Sequence, residues 1–273
     1  RREHEWLKKA VKENNIDAVI SDNRYGLYHT EIPCIFITHQ LAIKSPLGKW
    51  SEQLLQKKNY KYINRFTECW VPDLPGDDNL AGDLSHPAII PKVPVKYIGW
   101  LSRFSKRTLQ EKAGHLLIVL SGPEPQRSLF ETTVIRDIAR YEGSVTIVRG
   151  LPGTHTLLPS TNSIRIYNHL PAKQLNEEME VAEFVISRSG YSTVMDIAAL
   201  QKKSILVPTP GQTEQEYLAG YYMEKGIACA ALQQFFSLPE ELQKARLIPY
   251  RIPAFSYSNN LKTTIQDLLS RLR

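Results

Sequence analysis

With 273 residues, 42% of them hydrophobic and 23% charged, and a net charge of +6, the chain has the composition of a soluble globular protein of two ordinary domains. No apolar run reaches the roughly 20 residues of a membrane span, no secretory h-region appears, and no dense Arg/Lys tract or nucleic-acid motif makes nucleic acid an expected partner, although the mild basicity suits anionic ligands or an anionic lipid surface. Three cysteines, Cys34, Cys69 and Cys229, are odd in number and far apart, which excludes a disulfide framework and a Cys-based zinc site and leads us to expect buried thiols in a cytoplasmic protein.

In chain order, Trp6, Leu7, Ala10 and Val11 recur at helical spacing and predict an amphipathic helix over Arg1–Asn14. Asp17–Ser21 and Pro33–Thr38 read as buried-type strands that run into Asp22-Asn23-Arg24 and His39-Gln40. Strand ends that meet polar residues are where open α/β sheets place ligands, so Asp22, Arg24 and His39 are cleft candidates. No catalytic group is identified; His39 is the one candidate offered, and it reads first as a structural histidine tying down a loop. Ile43–Phe66 interleaves Lys44, Lys49, Lys57, Lys58 and Lys61 with Trp50, Leu54, Leu55 and Tyr60. Such a helix can lie on an anionic membrane or rest, solvated, on a sheet. Glu68–Val71 is a third strand, Asp73–Pro94 is expected as a long surface loop, and Lys96–Gly99 is a short closing strand.

Trp100–Gly114 is polar and basic and is expected to link two domains. His115–Leu120 is then a strong strand, followed by Ser121-Gly122 and a helix from about Pro125 to Tyr141. A strand-to-helix turn of this kind can cradle a phosphate, although Pro123 and Pro125 remove N–H donors from it. Further strands are expected at Ser144–Arg149, Ile164–Tyr167 and Gly226–Ala230, with helices at Leu175–Val181, Leu238–Ala245 and Ser258–Arg273. His169, beyond the Ile164–Tyr167 strand, reads as structural.

The most informative stretch is Phe184–Tyr217, which reads strand, turn, helix, strand, turn, helix. At its first turn Ser189, Gly190, Ser192 and Thr193 bring backbone N–H groups and hydroxyls to a helix start, where the helix dipole favours an anion by about 0.3–1 kcal/mol. Asp196 follows on the face carrying Ser192 and Thr193, at a distance suited to a ribose diol. Glu214 and Gln215 open the next helix with side chains suited to sugar hydroxyls.

These residues carry a resemblance. The run Arg188-Ser189-Gly190-x-Ser192-Thr193-Val194-x-Asp196, followed by Val207-Pro208 and Gln215, resembles the donor-binding motif of family 28 glycosyltransferases, whose best-known type moves N-acetylglucosamine from UDP to the lipid II precursor. The resemblance implies that Asp196 replaces a glutamate that holds the ribose, so that this carboxylate is a methylene shorter, and that Gln215 holds the donor sugar. It further matches Ser121, Gly122 and Arg127 to a glycine-rich turn lining the ligand, and Leu170 to a backbone position that pins uracil. Arg127 or Arg188 would assist Ser189, Gly190 and Ser192 in meeting the diphosphate charge.

The expected fold class is α/β: two Rossmann-like doubly wound domains (GT-B), the first incomplete at its N-terminus. The expected boundaries are 1–105 for an acceptor-side domain, 106–257 for a donor-binding domain, and 258–273 for a helix crossing back to the first. By comparison with the family, an opening strand, its Gly-rich turn and the general base are expected upstream of Arg1, and this chain alone is then expected to be inactive. The expected activity is inverting, metal-independent transfer of a sugar from a nucleotide-diphosphate donor, UDP first, to an acceptor alcohol, with no cofactor. The acceptor can be lipid-linked, with peripheral contact at the inner face of the membrane. A nucleotide-sugar hydrolase or 2-epimerase of the same fold, and a non-catalytic nucleotide-sugar-binding subunit, are the alternatives.

Overall fold

The structure, a computed structural model, describes residues 2–254 and 260–272. It divides into two compact units, Arg1–Leu101 with Ser256–Arg273, and Ser102–Phe255. The sequence-based boundary at 257/258 lies outside the described residues, as do Arg1, Ser258 and Arg273.

The first unit holds a parallel sheet of four strands in sequential order: β1 (Val19–Asp22), β2 (Cys34–Ile37), β3 (Glu68–Val71) and β4 (Val95–Tyr97). Helices α1 (Arg2–Asn14) and α2 (Lys49–Ile63) accompany it. One face of the sheet closes over Cys34, Phe36, Cys69 and Val71 with Tyr60 and Ile63 of α2. The other closes over Ile35, Trp70 and Ile98 with Leu261, Ile265 and Leu268 of the C-terminal helix, Asn260–Ser270. Glu68 anchors the end of that helix, accepting Arg271 at 2.6 Å, and Lys96 reaches Asp267 at 2.7 Å. Strand residues buried on both faces explain why β2 and β3 read as continuous apolar runs rather than alternating ones.

The segment expected as a long surface loop, 73–94, is instead partly core. Asp73 is fully buried, and its carboxylate accepts the backbone N–H groups of Leu74, Leu80 and Ala81, the Ser85 hydroxyl and the Trp100 indole N–H. One carboxylate thereby satisfies the backbone of a turn that polar composition alone marks as exposed.

The second unit is a sheet of six parallel strands: β5 (Lys112–Val119), β6 (Ser144–Val148), β7 (Ile164–Tyr167), β8 (Ala182–Ser187), β9 (Ser204–Leu206) and β10 (Cys229–Ala230). Its spatial order is β10-β9-β8-β5-β6-β7. The intervening helices are α3 (Gln126–Ile138), α4 (Ala172–Val181), α5 (Tyr191–Ala199) and α6 (Thr213–Glu224), with α7 (Leu238–Leu247) last. The core joins Leu116, Ile118, Phe184, Ile186 and Ile205 of the strands to Phe130 and Val134 of α3. The polar residues Lys112–Gly114, expected as the end of a linker, belong to β5, where Lys112 pairs with Ala182 across a register shift. Gly150, beyond β6, adopts φ +70, and a Cβ there would meet the Leu120 carbonyl at 2.4 Å, so the close approach of two strand ends requires glycine.

Candidate functional site

The order of the second sheet fixes where a ligand can enter. From β5 the chain adds β6 and β7 on one side, then returns to place β8 on the other. The turns after β5 and β8 therefore diverge and leave a crevice at the carboxyl ends of the strands, the position where open α/β sheets bind ligands. Those two turns are Ser121-Gly122 and Arg188-Ser189-Gly190, the two predicted phosphate cradles. Sequence spacing separates them by more than sixty residues; strand pairing of Val119 with Ser187 brings them side by side.

At the β8 turn, Gly190 caps α5 with φ −67, a value open to any residue. A Cβ at Gly190 would meet nothing within 4 Å. Glycine here is explained by open space in front of a helix N-terminus rather than by backbone need. Ser192 is exposed and Thr193 half-buried on the first turn. Ser189 is buried, and its hydroxyl donates to the Gln215 carbonyl at 2.8 Å, tying the β8 turn to the first turn of α6. Gln215 accepts the Thr209 N–H through Oε1 at 2.9 Å and donates through Nε2 to Gln212. Glu214 stands beside it on the same turn of α6.

The side chain of Arg188 turns into the protein: the residue is 2% exposed, and its N–H groups donate to the carbonyls of Ser121, Gln126, Val207 and Pro208 and to Gln233 Oε1. The guanidinium lies 4.7 Å from the Phe130 ring centroid. All of these partners are neutral, and burial pulls the guanidinium down to about 10, which leaves it charged at neutral pH.

Arg127 is likewise buried, but its partners include carboxylates. It donates to Glu124 at 2.6 Å, Glu131 at 3.1 Å and Ser128 at 2.6 Å. Glu131 also accepts Arg149, which reaches Asn168 at 2.8 Å, and Asn168 holds the carbonyls of Thr154 and Thr156. This network fixes the loop after β6 and the start of the run Asn168-His169-Leu170. Leu170 is buried and His169 exposed.

Asp196 lies on α5 and is 8% exposed. Its Oδ1 accepts the Ser102 hydroxyl at 2.7 Å, while Oδ2 lies 3.7 Å from Arg103 Nε. Burial pushes its carboxyl above the ordinary aspartate value, against the opposing pull of Ser102 and Arg103. A carboxylate has about four acceptor positions, so capacity remains for further donors.

The first-unit candidates sit at strand ends: Asp22 closes β1, exposed, and His39 lies beyond β2, half-buried. Arg24 is held by Glu3 of α1. Among the described residues no cluster of three or more His, Cys, Asp or Glu side chains could hold a metal ion. Sequence reading missed Thr209, Glu131, Arg149 and Ser102. Thr209 was accessible to the strand-end rule that selected His39; the other three carry no local signal.

Residues 156–269 match the model of the glycosyltransferase family 28 C-terminal domain. Among curated relatives, the chain is 29% identical over 140 residues to a UDP-N-acetylglucosamine--N-acetylmuramyl-(pentapeptide) pyrophosphoryl-undecaprenol N-acetylglucosamine transferase of Methylobacterium sp. strain 4-46, covering 51% of this chain and 34% of that protein. A protein of the same description from Bradyrhizobium sp. strain BTAi1 is 26% identical over 210 residues, covering 68% of this chain and 51% of its own length. The chain thus spans about half or less of these relatives. Solved structures with a similar fold include MurG of Acinetobacter baumannii, at TM-score 0.56 and 13% identity over 97% of this chain and 76% of that one. The S. aureus MnaA-UDP co-structure aligns at TM-score 0.62 and 12% identity, over 99% and 78% of the two chains.

Proposed function

We propose, from the premise that this is a family 28-like chain of the GT-B fold carrying that family's C-terminal domain in residues 156–269, that it transfers a sugar from a UDP-linked donor to an acceptor alcohol. The observation that carries the reading is the meeting of both strand-to-helix turns, Ser121-Gly122 and Arg188-Gly190, at the β5/β8 crevice. In this reading the N-terminus of α5 faces the diphosphate, Asp196 takes the ribose, the backbone at Leu170 takes the base, and Gln215, with Glu214, takes the donor sugar. The reaction is inverting: a base near the acceptor hydroxyl removes its proton while the diphosphate departs. We also read it as metal-independent, because helix dipole, hydroxyls and the buried charge of Arg188 meet the leaving group's charge.

Calorimetric titration of the chain with UDP, CDP, GDP and AMP, each with and without magnesium, tests this. UDP is expected to bind tightest and indifferently to magnesium; no binding of UDP overturns the reading. Turnover of UDP-sugar without an acceptor would turn the reading to the hydrolase or epimerase class.

The acceptor side carries a second part of the proposal, a lipid-linked acceptor reached at an anionic membrane. No described helix is long and apolar enough to cross a membrane. The outward face of α2, however, sets Trp50, 71% exposed, and Leu54 in line with Lys57 and Lys61, next to the exposed Leu47. Apolar side chains ahead of a row of ammonium groups suit a surface of anionic headgroups. Co-sedimentation with anionic but not neutral vesicles is expected, and W50A/L54A removing none of it would sink this part.

A further inference from the structure

The wall of the crevice behind Gly122 holds a group with no assigned use. Thr209 follows β9, is 1% exposed, and its hydroxyl has no hydrogen-bond partner, although its backbone N–H is taken by Gln215. A buried polar group left unbonded is costly, and native folds leave few of them. This one stands at the turn. A Cβ added to Gly122, which adopts φ +104, would lie 3.3 Å from Thr209 Oγ1 and 4.0 Å from Arg188 Nε.

The chemistry of that wall is one-sided. It offers a hydroxyl that can donate and a guanidinium whose hydrogen-bond partners are neutral, four carbonyls and one amide oxygen. A neutral sugar hydroxyl would occupy Thr209 and leave the positive charge unanswered. An anionic oxygen answers both, because it accepts from the hydroxyl and lies in the field of the cation. Glycine at 122 lets that oxygen approach the backbone closely.

We propose that Thr209 is a ligand of the donor's diphosphate: its hydroxyl donates to a phosphate oxygen seated against Gly122, and Arg188 supplies counter-charge from behind the wall without touching the ligand. The proposal rests on the nucleotide-sugar reading above and adds to it a residue between the motif positions Pro208 and Gln215, and a division of labour between contact and field.

The experiment compares UDP with uridine on the wild-type chain, T209V and T209S, by calorimetry, with thermal unfolding of each unliganded protein. Valine matches threonine in shape and lacks the hydroxyl. T209V is expected to lose about 10- to 100-fold in affinity for UDP, the value of a hydrogen bond to a charged group, with uridine unchanged. T209S is expected to keep UDP affinity within a few-fold. Because the hydroxyl is unpartnered without ligand, T209V is expected to unfold at the same temperature as wild type or higher. Unchanged UDP affinity in T209V, an equal loss for uridine, or a lowered unfolding temperature with UDP affinity intact overturns the proposal. Failure of the wild-type chain to bind UDP overturns the donor reading and this proposal with it, whereas wild-type binding that T209V leaves unchanged overturns this proposal alone.

Discussion

Two neighbouring regions at the carboxyl edge of the six-stranded sheet handle buried positive charge in opposite ways. Beneath the β5 turn, Arg127 and Arg149 are matched by Glu124 and Glu131, two cations to two anions, with Glu131 shared between the arginines. Desolvation raises the Glu131 carboxyl, but Arg149 and Arg127 outweigh it and hold the carboxyl below its ordinary value. Beneath the β8 turn, Arg188 is as deeply buried and has only neutral partners. The first arrangement is complete without a ligand. The second carries a charge that the fold does not neutralise, at the crevice where an anion is proposed to sit. Residue type alone makes these arginines equivalent; their surroundings assign one to structure and the other to the field at the site.

Breaking the balanced region has the larger expected effect. Glu131→Gln leaves the buried Arg127 and the half-buried Arg149 short of an anion, and breaking a buried pair typically costs about 3–5 kcal/mol. Denaturant unfolding measures it, and a loss below about 1 kcal/mol would mean the network is not what holds the loop after β6. The sign with pH follows from the lowered carboxyl. Glu131 contributes stability above the ordinary glutamate pKa of about 4.3, and that contribution disappears as pH falls through the folded value. Wild type is therefore expected to converge on the variant in acid. The ratio of UDP to uridine affinity is expected to stay constant, since the network's net charge is not aimed at the phosphates.

Arg188 is expected to do the reverse. At an effective dielectric of about 20, a unit charge roughly 8 Å from a phosphate is worth about 2 kcal/mol, or about 30-fold in affinity. Arg188→Gln is expected to weaken UDP by about that factor and leave uridine alone, with Arg188→Lys keeping most of the binding because it keeps the charge. Equal UDP affinities for the Lys and Gln variants would erase the distinction between the two regions.

Much of this site was legible in sequence, and its limits are physical. Runs such as Leu116–Ile118 and Phe184–Ile186 are buried on both faces of a parallel sheet, so apolar continuity marks the strands. The four strands of the first unit and six of the second were readable on that signal, as were the small-residue turns after β5 and β8. Pairing was not: nothing local says that β8 lies against β5, and the crevice exists only because it does. Side-chain partners at long separation were equally silent. Asp196 and Ser102 are 94 positions apart, and the neutral shell of Arg188 draws on residues from Ser121 to Gln233. Arg188 reads as a ligand because a basic residue beside a glycine turn is what a phosphate site needs; its burial among neutral partners has no local signal. The turn at Asp73 misled for the opposite reason, since its polarity is turned inward.

The smallest expected effect lies at the nucleoside end and sharpens the contrast with the phosphate end. Burial raises the Asp196 carboxyl, with Ser102 and Arg103 opposing. A carboxyl raised in the fold favours the protonated state, so its contribution to stability is present below the ordinary aspartate pKa of about 3.9 and is lost as pH rises through the folded value. At neutral pH the buried carboxylate is a cost that ribose hydroxyls would offset. Asp196→Asn keeps an oxygen for the Ser102 hydroxyl and removes the charge. The unliganded variant is therefore expected to differ from wild type by no more than about 1 kcal/mol, in its favour at pH 7 and without advantage near pH 4. Its affinity for UDP and for uridine should fall together by roughly tenfold, the loss of a charge-assisted acceptor. Loss for both ligands with Asp196→Asn, beside loss for UDP alone with Arg188→Gln, would place ribose and diphosphate at opposite ends of the β8 turn. If Asp196→Asn instead leaves uridine binding intact, the shorter carboxylate is spent on Ser102 and the ribose is held elsewhere.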